Sequence, residues 1–403
     1  MNEKYLQDLW LMIDTLESEH PNIYQYCSRH DIEAIIKEFL PINGKKEFSY
    51  LIKRIFKVIN DPHTQVFNAL KKAPFEFKII NNQVYLIATT EEYKDYLYWE
   101  LIAINNRPIG DIIFELKKII PFHQDSFADH RLEVILNQKW QLSSLPMFIN
   151  NDSFEYTFKK DNNKVSLTFE TEGKYDIKPG LRMGEGGDFS LEPNYSYELI
   201  NDILKINYRR CYEDPEYLIN DFKIELEKMI QEHNIKKIVF DLRGNGGGKS
   251  STISPIIEML SQHNCVVATL INNAVFSSGI WTLGMLSELG SVTIGTGIGD
   301  YVNGFGHVKE LILPNSNFKV QFSTKYFYLL ENNRRGKGGQ LLGPKEFKSF
   351  FSKPENQFLL KPVEFIPDIY CENNIQDYEQ GRDTQLEKAI EYLTKINNKS
   401  NSR

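Results

Sequence analysis

The sequence predicts an α/β protein of several domains, α+β overall, with a helical N-terminal region, a β-rich middle domain and a βαβ core. Three observations predict it. Apolar residues recur at helical spacing through residues 1–72. Short β-rich runs between polar turns fill residues 73–172. Strand and helix patterns then alternate across residues 196–395.

Each element follows from its own residues. Leu6, Leu9, Trp10, Ile13 and Leu16 fall at helical intervals, as do Ile32, Ile35, Ile36 and Leu40. The run 50–59 continues that spacing until Asn60-Asp61-Pro62 breaks it. Runs 75–80, 83–88, 154–158 and 164–170 read as strands, parted by turns such as Asn81-Asn82, with a helix or two near 111–143. Residues 173–195, with Pro179-Gly180 and Gly184-Glu-Gly-Gly187, read as a linker or long loop. A strand at 203–208 comes next, and a helix opens at Asp214-Pro215 with Leu218, Phe222, Leu226, Met229 and Ile230 inside. The near-continuous apolar strand 237–242 leads into glycines 244–248, a helix around 251–262, a strand at 265–271 and a helix at 278–289. Residues 396–403 form a tail. Strand and helix in this rhythm make parallel βαβ units, whose ligands sit at the C-terminal ends of the strands.

Composition removes several function classes. The 403 residues carry 47 Lys and Arg against 54 Asp and Glu, a net charge of −7, which argues against a nucleic-acid partner. The four cysteines make no CxxC spacing, no His-Glu-x-x-His occurs, and neither a metal site nor another cofactor is expected. Cys265, in an apolar run, reads as a buried thiol. The start is charged and amphipathic, and no apolar run nears the roughly 18–20 residues that span a bilayer. A cytoplasmic protein without a membrane span is expected, or an extracytoplasmic one if a leader was removed.

Two segments carry chemistry. Asp241-Leu-Arg-Gly-Asn-Gly-Gly-Gly-Lys-Ser250 lies between strand and helix, but Arg243 stands where a phosphate loop needs its first glycine. The dinucleotide pattern fails at Lys249. What is left is a loop whose amides can face a cleft and hold an oxyanion, or else a tight strand-to-helix turn. Ser277 and Ser278 begin the next helix, where free amides favour a developing anion, although a serine there is also an ordinary N-cap. A nucleophilic serine needs a base. His63, in Asp61-Pro-His-Thr64, is the first choice and His307 the second.

These pieces together resemble the tail-specific, C-terminal-processing serine peptidases, which share a crotonase/ClpP-like core with tricorn protease. The matching segments are residues 235–248, Phe276-Ser-Ser-Gly279, Ile366-Pro-Asp-Ile369 and residues 381–389, with His20-Pro21 and Asp61-Pro-His-Thr64 upstream. Residues 101–112 look like a degenerate PDZ-type strand and helix, though without a Gly-Leu-Gly-Phe-type loop. The resemblance implies a polypeptide substrate. It makes Ser277 the nucleophile, with the amides of Ser278 and of Gly246 or Gly247 as oxyanion donors. The catalytic Lys of the serine/lysine branch is replaced by Val302, so His63 is implied as base, as in the tricorn-like branch, with Glu364 as the third, orienting acid. Two further positions depart from the family: Ile280 stands in place of its Glu, and Gly295-Thr-Gly-Ile298 in place of Gly-Glu-Pro-Thr. The alternative is an inactive relative that binds peptides or apolar ligands.

Overall fold

The computed structural model describes residues 3–67, 72–151, 153–168, 175, 193–328 and 340–400. Most of the expected 173–195 linker, and positions 169–170 of an expected strand, lie outside them. The chain forms two compact units. One comprises Met1–Gly180, Asn303–Tyr328 and Gln340–Pro362; the other comprises Leu181–Val302, Leu329–Gly339 and Val363–Arg403.

The first unit opens with helices Glu3–Glu19, Arg29–Glu38 and Lys45–Ile59. Ser28 starts the second with a capping box: its hydroxyl accepts from the Asp31 amide, and the Asp31 carboxylate accepts from the Ser28 amide. Leu9, Met12, Ile13, Phe48, Leu51 and Ile55 pack into one core with Val320 and Phe322 of a much later hairpin. Trp10 departs from the expected apolar stripe and is exposed, while Asp8 is buried. The reason is polar: the Asp8 carboxylate accepts the amides of Asn315 and Ser316 at 3.0 and 2.6 Å. That hairpin, Gly304–Ile312 and Lys319–Tyr328, forms an antiparallel sheet with Gln65–Phe67 and Gln340–Leu342.

Another antiparallel sheet of the same unit runs in the order Phe75–Ile80, Gln83–Thr89, Glu100–Ile104, Glu155–Lys160, Asn163–Thr168. Helices Ile109–Lys117, Asp125–Ile135 and Lys139–Leu142 fall in the region expected to be helical. The outer edge of Phe75–Ile80 is capped by the chain itself. The Ile79 amide donates to Glu133 Oε1 at 2.9 Å, Asn137 Nδ2 donates to the Phe75 carbonyl at 2.7 Å, and the Ala73 amide donates to the Asn137 carbonyl.

The second unit is built on a sheet ordered Ile369–Tyr370, Val292–Gly295, Val266–Ile271, Lys237–Asp241, Ile203–Tyr208, Tyr195–Ile200. Every neighbouring pair is parallel except the last, which is antiparallel. Its helices are Ile219–Glu232, Ser254–Gln262, Ser278–Glu288, Ile375–Gln380 and Thr384–Ser400. The first of these begins at Ile219, not at Pro215, because the Tyr217 amide closes a turn on the Asp214 carbonyl and the Asp214 carboxylate accepts the Asn194 amide. Leu218 is consequently exposed and Ile219 takes its place inside. Cys265 is half-buried just ahead of its strand rather than fully buried. Among the described residues no helix is long and apolar enough to cross a membrane.

Candidate active site

Two parallel strands of the second unit, Lys237–Asp241 and Val266–Ile271, deliver their C-terminal ends to neighbouring turns. Arg243 locks the first turn. Its guanidinium donates to both Asp241 oxygens at 2.9 and 2.8 Å, to both Asp383 oxygens at 2.9 and 2.7 Å, and to Gln385 Oε1. Asp241 is fully buried, and burial pushes its carboxyl up. Arg209 and Arg243 outweigh that and hold it far below the usual carboxylate range.

Asn245 organises the glycine loop. Its Nδ2 donates to the Tyr208 carbonyl at 2.8 Å, its Oδ1 accepts the Gly247 amide at 2.9 Å, and its carbonyl accepts the Phe276 amide at 3.0 Å. The loop thus lies directly against Ser277: a Cβ on Gly247 would stand 2.8 Å from Ser277 Cβ and 2.9 Å from the Ser278 nitrogen. Cys211 braces the other side, donating its amide to the Gly247 carbonyl and accepting from Lys249. Burial pushes its thiol up to about 11, so it stays protonated and structural.

Ser277 has φ 54° and ψ −123°, outside the ordinary regions for a side-chain-bearing residue, at an order-of-magnitude cost of ~1–3 kcal/mol. An N-capping serine has extended backbone and a hydroxyl turned to the helix amides. Ser277 has neither, since its side chain makes no capping hydrogen bond. A sharp strand-to-helix turn of this kind holds a nucleophile out from the sheet. Ser278 does the tying instead, its hydroxyl donating to the Gly248 carbonyl at 2.6 Å. Among the described residues the Ser277 hydroxyl and the amides of Ser278 and Gly246 have no hydrogen-bond partner, whereas the Gly247 amide is engaged by Asn245.

His63 belongs to the first unit. Helix Lys45–Ile59 ends at Asn60 in the left-handed region, and the turn behind it is held by Asp61. The Asp61 carboxylate accepts the His63 amide at 3.0 Å, Thr64 Oγ1 at 2.5 Å, Ser323 Oγ at 2.6 Å and His20 Nε2 at 3.3 Å. His63 Nδ1 is 3.8 Å from Asp61 Oδ1. Asp61, His63 and His20 are all buried. Burial pushes the Asp61 carboxyl up, but the hydrogen bonds and charges of the two imidazoles together hold it well below the usual range.

Three other expected positions have surroundings of their own. Glu364 is exposed in the second unit and, after burial, is a cause of the raised Tyr301 phenol. Val302 is buried and donates its amide to the Val363 carbonyl. His307 is exposed, its Nδ1 3.0 Å from Thr324 Oγ1. Among the described residues no cluster of His, Cys, Asp and Glu could hold a metal ion. Sequence reasoning gave no role to Asn245 or Asp61. Asp61 had a usable signal, an acid two positions before the chosen histidine, whereas Asn245 had only its place among glycines.

Among solved structures the chain is similar to mature CPAF, with TM-score 0.63, 12% identity and coverage of 98% of this chain and 96% of that one. CPAF complexed with lactacystin matches with the same TM-score at 11% identity, covering 98% of this chain and 97% of that one. The photosystem II D1 C-terminal processing protease matches at TM-score 0.45 and 9% identity, covering 92% and 94% of the two chains. Tricorn protease matches at 0.42 and 12%, covering 97% of this chain and 37% of that one. The CPAF match establishes the fold. No family model and no curated protein sequence matches the chain.

Proposed function

We propose that the chain is a serine-type peptidase that hydrolyses peptide bonds through an acyl-enzyme, with Ser277 as nucleophile and His63 as general base. The backbone of Ser277 carries this reading: a serine held at φ 54° and ψ −123°, its hydroxyl uncommitted, beside two amides without acceptors. Structural likeness to CPAF supports it at the level of the fold.

In the proposed reaction His63 removes the Ser277 hydroxyl proton as Oγ bonds to the scissile carbonyl carbon. The carbonyl π pair moves to oxygen, and the resulting oxyanion is held by the amides of Ser278 and Gly246. Collapse breaks the C–N bond, and the amine leaves with the proton that His63 carries. Water, deprotonated by His63, then attacks the ester and releases the acid and Ser277. Each amide donor contributes about 3–4 kcal/mol to lowering the barrier.

The test is covalent labelling with a fluorophosphonate, with peptide mapping of the adduct and turnover of labelled peptides. Ser277 is expected to take the label, and Ser277→Ala to keep the wild-type melting temperature while losing both labelling and turnover. Lactacystin, complexed with a structural neighbour, serves as a second probe. A wild-type chain that neither labels nor turns over peptides leaves the ligand-binding alternative standing.

A further inference from the structure

The carboxylate of Asp61 is more heavily engaged than a turn requires. Closing the Asp61–Thr64 turn needs only Oδ1 on the His63 amide and the Thr64 amide on the Asp61 carbonyl, bonds of 3.0 and 2.9 Å. The other oxygen, Oδ2, faces three more donors from separate parts of the unit: Thr64 Oγ1, Ser323 Oγ from strand Lys319–Tyr328, and His20 Nε2 from beyond helix Glu3–Glu19. His20 is itself oriented. Its Nδ1 accepts the Asn22 amide at 3.1 Å, which puts the ring proton on Nε2, toward Asp61, and the Phe305 ring packs 4.6 Å away. Among the described residues no Lys or Arg pairs with Asp61, so the groups facing it are His20, His63, Thr64 and Ser323.

We propose that Asp61 is the positioning acid of His63, in place of Glu364, with His20 and Ser323 fixing its second oxygen. The inference rests on the peptidase reading above. A carboxylate with one oxygen saturated by donors stays ionised and presents the other to the nearest imidazole nitrogen, here Nδ1 at 3.8 Å. That selects the Nδ1–H tautomer, makes Nε2 the basic nitrogen that takes the proton, and stabilises the imidazolium that follows. In the proposed reaction this 3.8 Å separation closes to a hydrogen bond as the ring takes up the serine proton, as catalytic hydrogen bonds commonly tighten in the reacting complex. Burial decides between the two acids. A unit charge 4 Å from an imidazolium is worth about 1 kcal/mol in water but about 4 kcal/mol at an effective dielectric near 20. Asp61 is buried and Glu364 is in solvent.

Two measurements on the full chain test this. The first needs no change near Asp61: ¹⁵N NMR of histidine-labelled wild type, with the His63 signals assigned by their loss in His63→Gln. An Nδ1–H tautomer of the neutral ring supports the proposal, and an Nε2–H tautomer overturns it. The second compares kcat/KM against pH for wild type, Asp61→Asn and Glu364→Gln, with melting curves to confirm folding. Folded Asp61→Asn is expected to lose at least 100-fold and to move the acid limb to lower pH, because a carboxylate favours the protonated ring beside it. Activity within threefold of wild type with an unmoved limb, or the loss and shift falling on Glu364→Gln instead, overturns it. Absence of phosphonate labelling in wild type counts against the peptidase reading, while the tautomer is read in either case.

Discussion

At Gly247 the backbone has φ +103°, where an L side chain is strained, and the space a Cβ would take is already held by Ser277 and Ser278. Gly246, one position earlier, has open space where a Cβ would stand and no such dihedral. Gly247→Ala is therefore expected to cut turnover by roughly 100-fold or more and to cost about 1–3 kcal/mol of stability, by displacing the serine it touches. Gly246→Ala keeps its amide and is expected to retain the fold. Hydrolysis rates and thermal melts of the two variants check this, and equal losses at both sites would reject it. The serine and its glycines were legible at this scale, because residue type and local spacing carry that information. The backbone conformation of Ser277 was not, because it belongs to a turn that packs on the glycine loop through Asn245, whose partners Tyr208 and Phe276 are distant in sequence.

Helix Lys45–Ile59 carries a charge in its packed face. Lys53 is buried, its Nζ donating to Ser144 Oγ at 2.9 Å and lying 4.0 Å from the Trp140 ring centroid. Burial holds its ammonium well below the ordinary lysine range. The unfolded chain therefore keeps a proton that the folded chain releases as pH rises through the lowered value. Stability increases with pH between the lowered value and the ordinary lysine value of about 10.4, and the cost is fully present below the lowered value. Lys53→Met is expected to stabilise by roughly 1–4 kcal/mol at pH 6 and by less at pH 10. Urea melts at the two pH values measure the difference, and an equal gain at both rejects the explanation. Helical spacing had marked this element correctly, since an apolar stripe every three to four residues is a local property. The helix start predicted at Asp214-Pro215 moved to Ile219 for the complementary reason: Asn194, twenty positions away in sequence, takes the Asp214 carboxylate that would have capped it.

Over the whole molecule the segment order is unlike the spatial order. Arg243 joins the end of a central strand to Asp383, ahead of the last helix, so the matching residues near 381–389 serve as a structural clasp. Asp241→Asn leaves two guanidinium groups facing a neutral side chain and is expected to cost about 3–5 kcal/mol. Since its carboxyl is held low in the folded state, that stabilisation is present above the ordinary aspartate value and is lost as pH falls. Guanidinium unfolding at pH 7 tests the size, and a loss under about 1 kcal/mol contradicts it. Fold class was readable from the alternation of patterns, but no periodicity revealed that residues 303–328 return to the first unit, because such pairing is non-local. That return has a consequence for biosynthesis. On the ribosome the stretch bearing Ser277 emerges before Phe318, Val320, Phe322 and Ser323, so the N-terminal helices wait with an apolar flank uncovered and Asp61 lacking one of its donors. A nascent chain arrested near residue 300 already possesses the Ser277 hydroxyl but not the finished housing of the His63 imidazole, so the order of synthesis alone puts the completion of that pocket last.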